Sequence, residues 1–153
     1  QKPAPVSYAT LPYYGVNAFK FTNKKGESHF IRYQFIPEDG EHFLTPDQIA
    51  NGDPNYLEKE IRVRIVNHSI KYKLYAQVAE KDDKVEDPSI AWPDSRKLII
   101  LGIVEIKQIA PNTVAEDKGL HFTPNNIPNG IATADPMIDF RSQAYPISVK
   151  ERQ

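Results

Sequence analysis

The chain has 153 residues, with 19 Lys and Arg against 20 Asp and Glu and a formal net charge of −1. A balance this even offers no basic field for nucleic acid and no polybasic segment for anionic lipid, and the longest apolar run, Leu98 to Ile106, is too short for a membrane span. Cysteine is absent, which excludes disulfides and thiolate chemistry.

The length suits one domain with a core of its own. Thirteen prolines against seven glycines point to ordered rather than flexible connections. The opening "QKPAPVSYATLP", residues 1–12, is Pro-rich and has neither the charged region nor the apolar region of a signal peptide. It reads as an extended linker or arm, and a chain that opens on a linker suggests a segment before it.

"YGVNAFKFTN" and "ESHFIRYQFIP" are rich in aromatic and β-branched residues and flank Asn23-Lys24-Lys25-Gly26, a hairpin signal. Alternation puts Asn17, Phe19 and Phe21 on one face of the first strand, with Ala18 and Lys20 on the other. On the second strand Ile31, Tyr33 and Phe35 lie opposite Arg32 and Gln34. "LTPDQIANGDP" predicts a short helix capped by Thr45, with Pro46 in its first turn and Asn51-Gly52 as its stop. A second helix is predicted after Asp53-Pro54, with Leu57, Ile61 and Ile65 as its core stripe.

"YKLYAQVAE" alternates as a strand, with Tyr72, Leu74, Ala76 and Val78 on one face. The charged segment from Glu80 to Ser89 reads as a solvated excursion, because its acids alternate with lysines and lack Ca²⁺-loop spacing. Leu98 to Ile109 is predicted as a long strand with apolar residues on both faces. The stretch after it reads mostly as loop, up to a final short helix from Pro136 to Tyr145. Four long strands and three helices make the class α+β, mainly β. Four such strands in an open sheet leave apolar edges exposed, a second sign of a missing half.

The four histidines, His29, His42, His68 and His121, are scattered and read as surface or loop residues. HExxH, GxSxG and Gly-rich phosphate motifs are absent, so zinc, nucleophilic-serine and phosphate-loop chemistry have no support. "DPMIDFRSQAY" places Arg141 one helical turn before Tyr145. A guanidinium against a phenolic oxygen favours the phenolate, a hard donor suited to ferric iron. Spacing alone is equally satisfied by a cation–π or surface pair on a terminal helix.

Five ordered landmarks carry a wider resemblance: "YYGVNAFKFTNKKGESHFIRYQF", "LYAQVAEKDD", "DPSIAWPDSR", "LGIVEI" and "FTPNNIPNGIATADPMIDFRSQAY". From Tyr13 to Val149 the chain resembles the haem catalase superfamily, most closely the small catalase-related peroxidases. The resemblance implies antiparallel strands forming the second half of a catalase-type β-barrel, over residues 13–153. It implies Tyr145 as the axial ligand of haem iron, with Arg141 holding it ionised through a charge-assisted hydrogen bond. Met137 and Pro128 would wall that side, Ala144 would give the ring room, and Asn17 and Phe19 would lie on the strand beneath the haem. Larger family members often carry histidine where Asn17 stands.

No segment matches the family's distal histidine, the acid–base group for peroxide, or the first strands of its barrel. The chain therefore reads as the C-terminal part of such a protein, with its N-terminal half as partner. Alone it is expected to be inactive and to bind haem weakly or not at all. The implied activity is decomposition or use of hydrogen peroxide, or of a small organic peroxide. The alternatives are a haem enzyme acting on lipid hydroperoxides, or a non-enzymatic half-barrel that associates through its sheet edges, including as a homo-oligomer. The resemblance and the Pro-rich opening favour the periplasm over the cytoplasm.

Overall fold

The hairpin forms where the aromatic runs place it, and its register follows from one glycine. A computed structural model describes residues 3–152; Gln1, Lys2 and Gln153, and the parts of the linker and domain readings that fall on them, lie outside the described residues. After a two-residue strand β1 (Tyr13–Tyr14), β2 (Phe19–Thr22) pairs antiparallel with β3 (Ser28–Pro37), setting Phe19 against Ile31 and Thr22 against Ser28. Gly26 closes the turn at φ +84°, a conformation that strains any residue with a Cβ. Asn23 Oδ1 braces it by accepting from the backbone N–H groups of Lys25 and Glu27 at 2.8 and 3.0 Å.

The remaining elements are α1 (Pro46–Ala50), α2 (Tyr56–Asn67), β4 (Ile70–Val78), β5 (Leu98–Ile106), α3 (Thr113–Gly119), β6 (Ile131–Thr133) and α4 (Met137–Arg152). The strands form a mainly antiparallel sheet in the order β5-β4-β3-β2-β6, with β1 beside β3, and the sheet does not close on itself. The α+β, mainly β class therefore holds. Among the described residues no helix is long and apolar enough to cross a membrane. Contacts divide the chain into two units, through which the long strands run.

The first unit takes in residues 1–13, 34–75 and 100–109. Its core is Ala9, Ile65, Ile70 and Tyr72, with Phe35, Ile61, Val104 and Ile109 packed against it. Each fully buried aliphatic side chain contributes roughly 1.5–3 kcal/mol. Ile61 and Ile65 thus serve as the predicted stripe of α2. The helix begins at Tyr56 rather than at Asp53-Pro54, because Asp53 Oδ1 is taken by the N–H of Asn55 in a turn ahead of it. The cap of α1 is as predicted: Thr45 accepts from Gln48 N, and the Gln48 side chain returns the bond.

The opening segment is not a free arm. Its residues 8–10 form a 3-10 turn in which Ser7, Ala9 and Thr10 are buried and Ser7 and Thr10 cap each other. Backbone bonds from Val6 N to His42 O and from Leu44 N to Ala4 O tie it down at 2.9 and 2.8 Å. The hydroxyls of Tyr13 and Tyr72 both donate to Tyr8 O, at 2.9 and 2.8 Å. Proline content suggested a linker, but the small and hydroxylated residues between the prolines let the segment pack.

The second unit takes in residues 14–33, 76–99 and 110–153. Here the charged loop departs from its reading as a solvated excursion. Arg32, only 4% exposed, stands on the β3 face opposite Tyr33, and the loop folds over it. Its guanidinium donates to the carbonyls of Ile90 at 2.7 Å, Asp87 at 3.0 Å and Lys84 at 3.4 Å, and lies 4.3 Å from the Trp92 ring centroid. Gln77, also buried, donates to Pro93 O at 3.1 Å. Arg96 forks onto Asp83 at 2.8 and 3.1 Å and locks the loop's base. Most of the loop's charges face water, but Asp83 is held inward by Arg96 and the loop's carbonyls satisfy buried donors, so a composition reading sees only half of it.

Three further elements differ from expectation. β5 ends at Ile106, short of Ile109. Asn112, whose side chain accepts from Ala115 N, caps α3 inside the stretch read as loop. α4 runs past Tyr145 to Arg152 with Pro146 inside it. Proline leaves Ser142 O without its helical donor, but Arg152 anchors the far end by donating to Leu120 O at 2.9 Å.

Candidate functional site

The site grows from the pairing of β2 with β6. Phe19 lies against Thr133, and the ladder continues through Ala134 N to Ala18 O at 3.1 Å. One step further sets Asp135 beside Asn17. Gly130, at φ +90°, makes the entry turn; a Cβ there would stand 3.1 Å from Thr22 O. Pro128 begins that turn, its carbonyl accepting from Ile131 N at 3.2 Å.

Asp135 then starts α4. One carboxylate oxygen accepts from Met137 N at 2.8 Å, and its carbonyl accepts from Ile138 N at 3.1 Å. It is the expected cap for the helix. Its second carboxylate oxygen accepts from Asn17 Nδ2 at 2.7 Å. Asn17 Oδ1 accepts from Arg141 Nη1 at 2.6 Å, and Arg141 Nη2 donates to Tyr145 Oη at 2.6 Å. Asp135, Asn17, Arg141 and Tyr145 thus form one chain of hydrogen bonds. The amide is the right linker, because it offers an acceptor to the guanidinium and a donor to the carboxylate.

The Arg-Tyr spacing gives both contacts expected of it, one to the phenolic oxygen and one to the ring. The guanidinium carbon lies 5.5 Å from the Tyr145 ring centroid, within cation–π range. The 2.6 Å contact to the phenolic oxygen is the stronger and more directional of the two. Burial is greatest at the start of the chain of bonds: Asp135 and Asn17 are 2% and 8% exposed, Arg141 is exposed and Tyr145 is half-buried. The carboxylate end is fixed and the phenol end is open. Ile138, fully buried, lies on the same face of α4, three and seven residues ahead of Arg141 and Tyr145.

The other predicted residues lie on neighbouring elements: Phe19 on β2, Pro128 in the turn before β6, and Met137 and Ala144 on α4. Met137 is joined to it through its own N–H, and its side chain is exposed. Ala144 and Pro128 are exposed. Phe19 is half-buried, with its ring 5.5 Å from that of Tyr33. Burial raises the Tyr33 phenol above its ordinary value. Arg32 is lowered, first by desolvation, against the opposing fields of Asp135, Asp83 and Asp87.

Asp135 and Arg32 are the residues that sequence reasoning missed. Asp135 appeared there only as a cap. Arg32 appeared only as the outward neighbour of Ile31, although a cation inside an apolar strand was a signal that something covers it. All four histidines are exposed, and no cluster of three or more His, Asp or Glu side chains is arranged to hold a metal among the described residues.

The donor set at the open end is a hard phenolic oxygen held against a guanidinium, with exposed apolar Met137, Phe140 and Ala144 on the same helix. It suits a flat apolar group carrying a ferric centre.

Comparison with known proteins agrees in family and fold. The Catalase family model matches residues 1–153. A catalase-related peroxidase of Synechococcus elongatus is 32% identical over 149 residues, covering 97% of this chain and 44% of its own length. A catalase-related peroxidase of Mycolicibacterium paratuberculosis is 33% identical over 151 residues, covering 97% and 47%. The chain thus spans about half the length of these curated relatives. Among solved structures, catalase A from Saccharomyces cerevisiae superposes with a TM-score of 0.82 at 22% identity, over 97% of this chain and 33% of that one. A crystal structure of a fungal catalase gives 0.82 at 23% identity, over 97% and 32%.

Proposed function

The chain belongs to the catalase family, and on that premise we propose that it supplies the tyrosine side of a haem site in a protein that decomposes or uses hydrogen peroxide. The observation that carries this reading is the line of hydrogen bonds from Asp135 through Asn17 and Arg141 to Tyr145 Oη.

Tyr145 would hold the iron through its phenolic oxygen. Met137, Ala144, Pro128, Asn17 and Phe19 would flank the ring. Haem, when bound, supplies the redox-active iron that peroxide chemistry requires. The remaining work belongs to this chain's own groups. Arg141 keeps one guanidinium edge on the phenolic oxygen and fixes its position. Asn17 keeps the guanidinium from swinging away, because its own amide is oriented by the buried Asp135 carboxylate. Asp135 also starts α4, so the same carboxylate sets the helix and the hydrogen-bond line. The site is thereby organised before any ligand arrives.

The test is peroxide turnover by the haem-loaded whole polypeptide in which this segment stands. Oxygen release from hydrogen peroxide, or peroxide-dependent oxidation of a small donor, supports the reading. Absence of both would refute it. Consumption of a lipid hydroperoxide without either would move the assignment to a different hydroperoxide chemistry on the same scaffold.

A further inference from the structure

The first unit holds two phenols that the haem site does not use. Tyr13 on β1 and Tyr72 on β4 pack with ring centroids 5.9 Å apart and ring planes at 66°. Both hydroxyls donate to one acceptor, Tyr8 O, at 2.9 and 2.8 Å. A single carbonyl thus gathers two phenolic oxygens from strands far apart in sequence. In each ring the ortho carbons are bonded to the carbon that carries the hydroxyl, so the shared acceptor also draws two ortho edges together. The rings around Tyr33 offer no such pair: Phe19 and Phe21, at 5.5 and 6.0 Å, carry no hydroxyl.

From this pair we propose that Tyr13 and Tyr72 are an oxidative cross-linking site, where one-electron oxidation joins the two rings as dityrosine. The natural oxidant is hydrogen peroxide, and in that respect alone the proposal rests on the activity proposed above. Desolvation, the largest cause in each case, raises both phenols above their ordinary value. Each therefore still carries its proton at neutral pH and sheds it on oxidation. Tyr13 is 43% exposed and Tyr72 only 6%. Tyr13 is the ring an oxidant reaches and the one whose proton passes directly to water, while Tyr72 is held behind it as the fixed partner.

The chemistry balances within the pair. Each phenol gives up one electron and one proton and becomes a phenoxyl radical. The two radicals couple through ortho carbons, one C–C bond forms, and the two ortho hydrogens move to the oxygens. The pair loses two electrons and two protons in all, and one hydrogen peroxide taking them up becomes two waters. Both rings and their shared acceptor belong to this chain, so the pairing needs no second copy and no further segment. The product ties the segment ahead of β1, in which Ala9 and Thr10 are buried, covalently to β4. Closing so long a loop removes freedom from the unfolded chain.

The test is photo-oxidation of the 153-residue chain at low concentration with tris(bipyridine)ruthenium and persulfate, a one-electron oxidant that requires no haem. The expected product has blue dityrosine fluorescence, stays monomeric on denaturing gels and is lighter by two hydrogens, and its mass spectrum joins the Tyr13 and Tyr72 peptides. It should also unfold at a higher urea concentration than the untreated chain. Tyr13→Phe and Tyr72→Phe should each abolish the product. Tyr8→Phe should keep it, because Tyr8 contributes its backbone carbonyl and not its ring. Dityrosine only between molecules, a linkage at other tyrosines in its place, or a product that survives Tyr13→Phe would overturn the proposal. In a second arm, hydrogen peroxide added to the haem-loaded whole polypeptide should give the same linkage. Peroxide turnover without it would refute peroxide as the oxidant. Absence of turnover would instead refute the reading of the haem site, and the photo-oxidised chain would still decide the cross-link.

Discussion

Asn17 and Asp135, 118 residues apart in the chain, are joined by a 2.7 Å hydrogen bond between two buried side chains. On the other side of Asn17 stands Arg141, and beyond it Tyr145. The bond exists because β6 pairs with β2 and its ladder runs one residue past the strand end. The placement of the phenol therefore depends on a carboxylate that never approaches it.

Replacing Asn17 with Leu removes the linker but keeps its volume. Asp135 would then keep one unanswered carboxylate oxygen in a buried site, which costs about 1–3 kcal/mol. Urea denaturation should show that loss. Asn17→Asp should cost at least as much, since it sets a second carboxylate against Asp135. Equal stability of Asn17→Leu and the unaltered chain would show that Asp135 finds another donor.

Arg32→Ala should destabilise the second unit by about 2–3 kcal/mol, by leaving loop carbonyls unpaired and Trp92 without its cation. Trp92 is the only tryptophan, so its fluorescence reports the event directly. Emission should shift to the red as the loop from Glu80 to Ser89 opens. Arg32→Lys should recover only part of the loss, because an ammonium cannot span the carbonyls with a fork.

Two groups give opposite dependences on pH. Arg96, by its hydrogen bond, holds Asp83 below the ordinary carboxylate range despite some desolvation. A depressed carboxyl contributes stability that is present above its unfolded value and lost as pH falls through its folded value. The midpoint of thermal unfolding should therefore fall on acidification below the ordinary aspartate range, and Asp83→Asn should flatten that slope. At the alkaline end, burial, followed by the neighbouring Tyr13, pushes Tyr72 up to about 12. Above the ordinary phenol range the unfolded chain ionises before the native one, so stability falls as pH rises. Tyr72→Phe should remove part of that fall in an alkaline denaturation series.

The local elements were legible in the sequence where side chain and backbone agree. Asn23 to Gly26 wrote the turn, Thr45-Pro46 with Gln48 wrote α1, and Ile61 with Ile65 wrote the buried face of α2. What stayed hidden depends on partners distant in sequence. β6 has three residues and no periodicity to detect, yet it brings Asp135 to Asn17. The loop over Arg32 reads as solvated because its side chains are charged, while it is tied to the fold by its carbonyls and by the Asp83–Arg96 pair. The end of α4 was misread because Pro146 is ordinarily a stop, and only the Arg152 contact with Leu120 shows why the helix continues. Of the site, the Arg141–Tyr145 pair was readable from spacing, and its support through Asn17 and Asp135 was not.

The central claim is that Tyr145 is the oxygen ligand of haem, and Tyr145→Phe in the haem-loaded whole polypeptide tests it most directly. Phenylalanine keeps the ring and its packing but removes the oxygen that Arg141 holds. The expected result is loss of haem from the purified protein, loss of the tyrosinate-to-ferric absorption and loss of peroxide turnover, with circular dichroism unchanged. Retention of both stoichiometric haem and turnover in the variant would contradict the assignment.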